Sequence, residues 1–201
     1  MSTPSVIDER ARGPRIHRIA PDHPLAAAVL VELAIEYSTR YTASAGAIHR
    51  RMSDRPATDF AAPDGGLVVL VENGEPVASG SFRRVDATTA ELKRFWTVRD
   101  QRRRGLATRV LAELEAGMVR FGYLRAIAVT GDGQPEARGL YPAAGYDEVS
   151  AAGRRYSFEK VLDIATRPSR ARRFAAADIG RRASSGVTTA RYRPVRDSSA
   201  K

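Results

Sequence analysis

Apolar positions recur along this chain at two spacings, and each change of spacing marks an element. Arg15 to Ala20 alternates and reads as a first strand, after which Pro21-Asp22-His23-Pro24 turns the chain. From Leu25 to Tyr41 the period lengthens: Leu25, Val29, Leu33 and Tyr37 form an i, i+4 stripe, which puts one face of a helix against a core. Leu67 to Val71 is a short apolar run suited to a buried strand. Asn73-Gly74 is a strong hairpin signal, Val77 to Val85 is the returning strand, and Asp86 to Thr89 turns the chain into a third run from Glu91 to Val98. Ala107, Val110, Leu111, Leu114, Met118 and Phe121 then fall on one helical face. A further β run covers Tyr123 to Thr130, a short helix follows Gln134, and a last hairpin spans Tyr146 to Val161.

These elements predict a single α/β domain with a mixed, mostly antiparallel sheet flanked by helices. One parallel step is expected, from the Glu91 strand across the Ala107 helix to the Leu124 strand; such a βαβ unit is right-handed. Tyr41 to Pro63 shows no clean period and is expected to be the least structured part of the core.

Composition narrows the class. A chain of 201 residues, 43% hydrophobic, suits one domain of ordinary size. The absence of cysteine excludes disulfides, thiolate metal sites and cysteine nucleophiles. His17 and His23 read as a strand and a turn residue, and with only three histidines, spaced far apart, no metal site is expected. No apolar leader opens the chain and no run approaches the ~20 apolar residues a bilayer requires, so a soluble cytoplasmic protein is expected. The net charge of +10 resembles a nucleic-acid signal until it is located: ten Lys or Arg against two Asp lie from Ala165 onward. The expected organisation is a flexible arm over 1–14, a folded domain over 15–163 and a basic disordered tail over 164–201. For the tail three readings stay open: weak nonspecific nucleic-acid contact, a solvated extension, or an altered reading frame.

The chemistry concentrates where the Glu91 strand meets the next helix, in Arg102-Arg103-Arg104-Gly105-Leu106-Ala107. A glycine and a small residue let backbone N–H groups approach an anion, the helix directs its positive end there, and three arginines add charge. No Gly-Lys-Ser/Thr ending and no G-x-G-x-x-G occurs, so neither a triphosphate P-loop nor a dinucleotide fingerprint is present. An ordinary solvated turn is the alternative.

Taken with Ala137-Arg138-Gly139-Leu140-Tyr141-Pro142-Ala143-Ala144-Gly145-Tyr146 further on, this turn resembles two ordered motifs of the GNAT superfamily of acetyl-CoA-dependent N-acetyltransferases: R/Q-x-x-G-x-G/A and A-x-x-L-Y-x-x-x-G-F/Y. The resemblance covers about residues 15–163. It implies that Arg102, Arg103, Arg104, Gly105, Leu106, Ala107 and Thr108 hold the coenzyme's pyrophosphate, and that Trp96, Thr97 and Val98 bind its pantetheine arm through main chain between two splayed parallel strands. It further implies that a backbone N–H near Val98 polarises the thioester carbonyl. In that family an asparagine that touches the coenzyme often precedes the second motif; here Gln134 takes its place, which makes it a candidate coenzyme contact. Pro142 is expected to bend or end the helix beside Tyr141.

Amine acetylation requires the amine to lose a proton and the thiolate to gain one. Tyr141 is the candidate acid, a buried phenol being held neutral at pH 7, and Glu91 is the candidate base, with pairing to Lys93 or a nearby Arg as its alternative. By resemblance the segment after the first helix covers the acceptor site, so Glu36, Tyr37, Arg40 and Tyr41 are candidates for substrate contact. The expected activity is acetyl transfer from acetyl-CoA to a primary amine, by a monomer or homodimer. The alternative is a catalytically silent acyl-CoA-binding or regulatory module whose basic tail contacts nucleic acid.

Overall fold

In a computed structural model the described residues are 13–163. The expected tail and all of the expected arm except Gly13 and Pro14 lie outside them. Seven strands and four helices follow one another: β1 (Arg15–Ile19), α1 (Pro24–Arg40), α2 (Ala45–Ser53), β2 (Gly66–Glu72), β3 (Glu75–Arg84), β4 (Thr89–Thr97), α3 (Leu106–Phe121), β5 (Arg125–Gly131), α4 (Pro135–Ala143), β6 (Asp147–Ala152) and β7 (Arg155–Val161). They form one sheet in the order β1-β2-β3-β4-β5-β7-β6. Every neighbouring pair is antiparallel except β4 and β5, as the hydrophobic pattern predicts.

Alternation along β3 and β4 sorts the sheet into two faces. Ala78, Phe82, Ala90 and Leu92 belong to the larger core with Val110, Leu111, Leu114 and Met118 of α3 and Tyr141 of α4. Val69 and Trp96 belong to a second core with Val29 and Leu33 of α1. Each buried Val, Leu, Phe or Met among them contributes roughly 1.5–3 kcal/mol by leaving water. The α3 face is rotated slightly from expectation, since Leu106 is buried whereas Phe121 is 41% exposed. Gly80 lets α3 lie close to the sheet: a Cβ there would come within 2.8 Å of Val110 Cγ1 and 2.9 Å of Leu114 Cδ1.

The segment from Tyr41 to Pro63 is more ordered than expected. Ser44 caps α2 by accepting from the Ala47 N–H, and a 3₁₀ turn covers Ala57–Phe60. Only Ile48 of the nine-residue α2 is buried, too few apolar residues to print a period on the sequence. What holds the segment down comes from elsewhere. Arg94 donates to the Met52 carbonyl at 2.8 Å, and its guanidinium lies 3.8 Å from the centre of the Phe60 ring. Burial pulls Arg94 down to about 10, which still leaves it charged at neutral pH.

Candidate active site

The site begins with a change of register. Arg94 adopts φ 57°, the left-handed region, where the β3–β4 pairing slips between Ser79 and Ser81. On its other side β4 pairs with β5 only from Thr89–Arg125 to Leu92–Ala128. Beyond that point β4 runs on to Thr97 while β5 continues to Gly131 paired with β7 alone. The two parallel strands therefore part at their C-terminal ends. The Val98 N–H donates to the Val77 carbonyl at 3.0 Å, so Val98 itself does not turn its N–H to the gap. By alternation the peptide groups turned that way belong to Thr97, whose carbonyl accepts from Arg102 Nε at 3.1 Å. Trp96 is buried against α1.

Downstream of Thr97 the chain turns through Arg103 at φ 63° and Gly105 at φ 74°, and α3 starts at Leu106 with no side-chain cap. Among the described residues, none of the N–H groups from Arg103 through Leu106 and Ala107 to Thr108 donates to a protein acceptor; the first that does is Arg109, to the Gly105 carbonyl at 3.0 Å. Left-handed residues that alternate with right-handed ones turn successive N–H groups into one concavity, and the helix end adds its partial positive charge. Of the arginines, Arg104 is taken up by Glu72 at 3.1 Å and by Gln101.

The reacting end is aromatic. Tyr141, in the last turns of α4, is 4% exposed, and its ring lies against Phe95, Tyr146 and Phe158 with centroids 6.1, 5.5 and 5.4 Å away. Its hydroxyl makes no hydrogen bond to a described residue. Burial first, then Tyr37 and Glu91, raise its proton affinity above that of an ordinary phenol. Tyr37 is likewise pushed up to about 12, mainly by burial and opposed by a hydrogen bond with the Gln134 side chain. Gln134 in turn accepts from Thr130 Oγ1 at 2.9 Å. Pro142 permits one more helical residue, and α4 ends at Ala143.

Four charged side chains close the mouth of the gap. Arg40 pairs with Glu36 at 2.5 Å and Glu136 at 2.7 Å; Arg102 pairs with the same two carboxylates at 2.7 and 3.0 Å. Arg40 also donates to the Gly133 carbonyl at 2.8 Å. Hydrogen bonding from Arg40, then the charges of both arginines, hold Glu136 at about 2 against a smaller opposing effect of burial. The ring separates two clefts. One, of about 480 Å³, includes Glu32, Trp96, Val98 and Arg102 in its walls. The other, of about 490 Å³, lies between Tyr41, the Thr130–Gln134 turn and the hairpin residues Arg154 and Arg155.

The sequence profile described as the acetyltransferase (GNAT) family matches residues 29–146, which takes in the turn before α3, the charged ring and Tyr141. The chain belongs to the GNAT family of acetyltransferases. No curated protein matches it. Among solved structures it is similar to an acetyltransferase from Thermus thermophilus, with 22% identity, 76% of this chain and 99% of that one covered, and a TM-score of 0.57. It is also similar to the PaiA N-acetyltransferase of Thermoplasma acidophilum in complex with coenzyme A, with 15% identity, coverage of 75% and 99%, and a TM-score of 0.61. An aminoglycoside 6'-N-acetyltransferase complexed with coenzyme A gives 15% identity, coverage of 74% and 97%, and a TM-score of 0.59. At these identities the likeness is one of fold.

In this GNAT chain Glu91 stands apart from the other expected residues. It lies opposite Ile127, within the paired part of β4 and β5, with one carboxylate oxygen 2.6 Å from Arg83 and the other 2.5 Å from Lys93. Glu36, Trp96, Val98 and Arg102 line the first cleft, with Arg102 bonded to the Thr97 carbonyl; Tyr41 and Gln134 line the second, and Tyr37 bonds to Gln134 and interacts electrostatically with Tyr141. Glu136 and Thr130 were not anticipated. Glu136 sits one place after the helix-starting Pro135, where an acidic residue reads as an ordinary complement to the helix dipole. Among the described residues, no helix is long and apolar enough to cross a membrane, and no cluster of His, Cys, Asp or Glu could hold a metal ion.

Proposed function

We propose that this GNAT protein moves an acetyl group from acetyl-CoA directly to a primary amine. The observation that carries the reading is the split between β4 and β5 leading into a turn whose N–H groups, from Arg103 to Thr108, lack internal acceptors. Those groups fit a pyrophosphate, and the Thr97 peptide fits an extended amide-bearing arm. Acetyl-CoA supplies an activated thioester. The protein's own residues hold and orient it, with Arg102 and Arg103 adding charge at the phosphates. Tyr141 keeps its proton at neutral pH and donates it to the departing sulfur, and its phenolate recovers a proton from the nitrogen, which sheds one as the amide forms. Tyr37, Gln134 and Thr130 form a polar row toward the second cleft, where the amine enters as its free base; much of the rate then comes from positioning. Both oxygens of Glu91 already bear a cation, so we assign that carboxylate to holding the sheet together and not to proton removal.

Calorimetric titration with acetyl-CoA tests the reading, followed by thiol release across a panel of amines. We expect micromolar binding that weakens by roughly tenfold or more in Gly105→Val, because a β-branched residue resists the left-handed conformation the turn needs. Binding equal in the two proteins would remove the turn from the coenzyme site. Tight binding with no acetylation of any amine would favour the silent acyl-CoA-binding module.

A further inference from the structure

The second cleft carries information about the acceptor, an inference that rests on the acetyltransferase reading above. Its walls hold one carboxylate, Asp132, and three guanidinium groups, Arg40, Arg154 and Arg155. The carboxylate is already satisfied: Asp132 accepts from Tyr156 Oη at 2.8 Å and from Arg154 Nε at 3.2 Å. Arg40 is committed to Glu36, Glu136 and the Gly133 carbonyl. Arg155 alone of these cations has no ion pair or hydrogen bond with a described residue. Its position is fixed by the sheet, since it stands opposite Gly131 on β5 and Ala152 on β6 at the start of β7. Alternation places it on the face away from Phe158 and therefore away from the larger core.

The opposite wall is equally defined. The Gly131-Asp132-Gly133 turn approaches Tyr41 so closely that a Cβ on Gly133 would meet that ring at 2.9 Å. A molecule entering between Tyr41 and the β6–β7 hairpin thus passes Arg155 before it reaches Thr130 and Gln134. The geometry points to an acceptor that bears an anionic group, a carboxylate or a phosphate, a few bonds from its amine, with Arg155 as the residue that selects it. Amine and anion would then lie at opposite ends of the cleft, the amine toward Gln134 and Tyr37. A guanidinium suits either anion, because its planar fork donates two parallel hydrogen bonds.

The test uses the full chain with acetyl-CoA and matched acceptors: phenylalanine against phenylalaninamide, and phosphoethanolamine against ethanolamine. The readout is the ratio of kcat/KM between the charged and neutral member of each pair, with KM and kcat separated. Wild type is expected to favour an anionic member by about tenfold or more, through KM. Arg155→Ala should bring the ratio near one, Arg155→Glu should reverse it, and Arg155→Lys should retain part of it; coenzyme titration of each variant verifies its fold. Preference in the carboxylate pair alone, or in the phosphate pair alone, identifies which anion the cleft takes. Acetylation of both members at equal efficiency, or a ratio indifferent to Arg155→Glu, overturns this inference and leaves the acetyltransferase reading standing. Acetylation of none of the four, nor of any amine in the wider panel, overturns that reading and this one with it.

Discussion

A phenol buried among three other rings, with a hydroxyl that bonds to no described residue, contributes little to stability through that oxygen. Removing the Tyr141 hydroxyl leaves the ring contacts with Phe95, Tyr146 and Phe158 intact and strands no partner. Tyr141→Phe is therefore expected to lower kcat by about 10²-fold or more, the usual range for a positioned acid, while the dissociation constant for acetyl-CoA stays within about twofold. Single-turnover kinetics beside calorimetry separates the two. A variant with undiminished kcat would show that the thiolate leaves without help from this residue. Tyr141 was legible because it stands inside a motif. For Glu91 the sequence left a base and a partner of Lys93 or a nearby Arg both open, because a carboxylate within a strand needs either a function or a cation; which Arg is in reach depends on the register that sets Arg83 opposite it.

On the proposed reading, a coenzyme that binds Arg102 competes for it with residues of several elements. Arg102 in the turn before α3 is held by Glu36 from α1, by Glu136 from α4 and by the Thr97 carbonyl at the end of β4, so three elements meet on one guanidinium. A phosphate that recruits Arg102 has to displace those carboxylates. Glu136→Gln weakens the competing side and should tighten acetyl-CoA binding by about two- to fivefold, the worth of a partly exposed ion pair. Calorimetry at low and high salt checks this, and weaker binding in the variant would mean that Glu136 orients Arg102 toward the coenzyme instead. The helices and strands themselves were readable from period, with ends displaced by a residue or two, as α1 over Pro24–Arg40 against Leu25 to Tyr41 shows. The ring was not readable, because α1, the turn before α3 and α4 contribute its members from three stretches far apart in sequence. Nor was α2, whose anchor is Arg94 on a distant strand and not a stripe of its own.

For the molecule as a whole, the net charge of +10 says little about this domain, since most of it is carried after Ala165. Burial of phenols around the gap is the larger electrostatic commitment, and it sets a pH limit. Tyr37 is held at about 12 and both Tyr141 and Tyr146 are raised, chiefly by burial. Below the ordinary phenol value of about 10, folded and unfolded chains keep these protons equally and stability has no slope from them. As pH rises above it, the unfolded chain releases protons that the folded chain retains. The unfolded state then binds fewer protons, and stability falls. For Tyr37 alone the loss by pH 11.5 is about 2 kcal/mol. Urea unfolding at pH 8, 10 and 11.5 should show Tyr37→Phe losing less stability across that range than wild type, by about that amount. The alkaline limb should persist in the variant because Tyr141 and Tyr146 remain. Parallel curves for the two proteins would mean that the Tyr37 hydroxyl reaches water, and that the polar row from Tyr37 through Gln134 to Thr130 opens to solvent rather than into a closed reaction chamber.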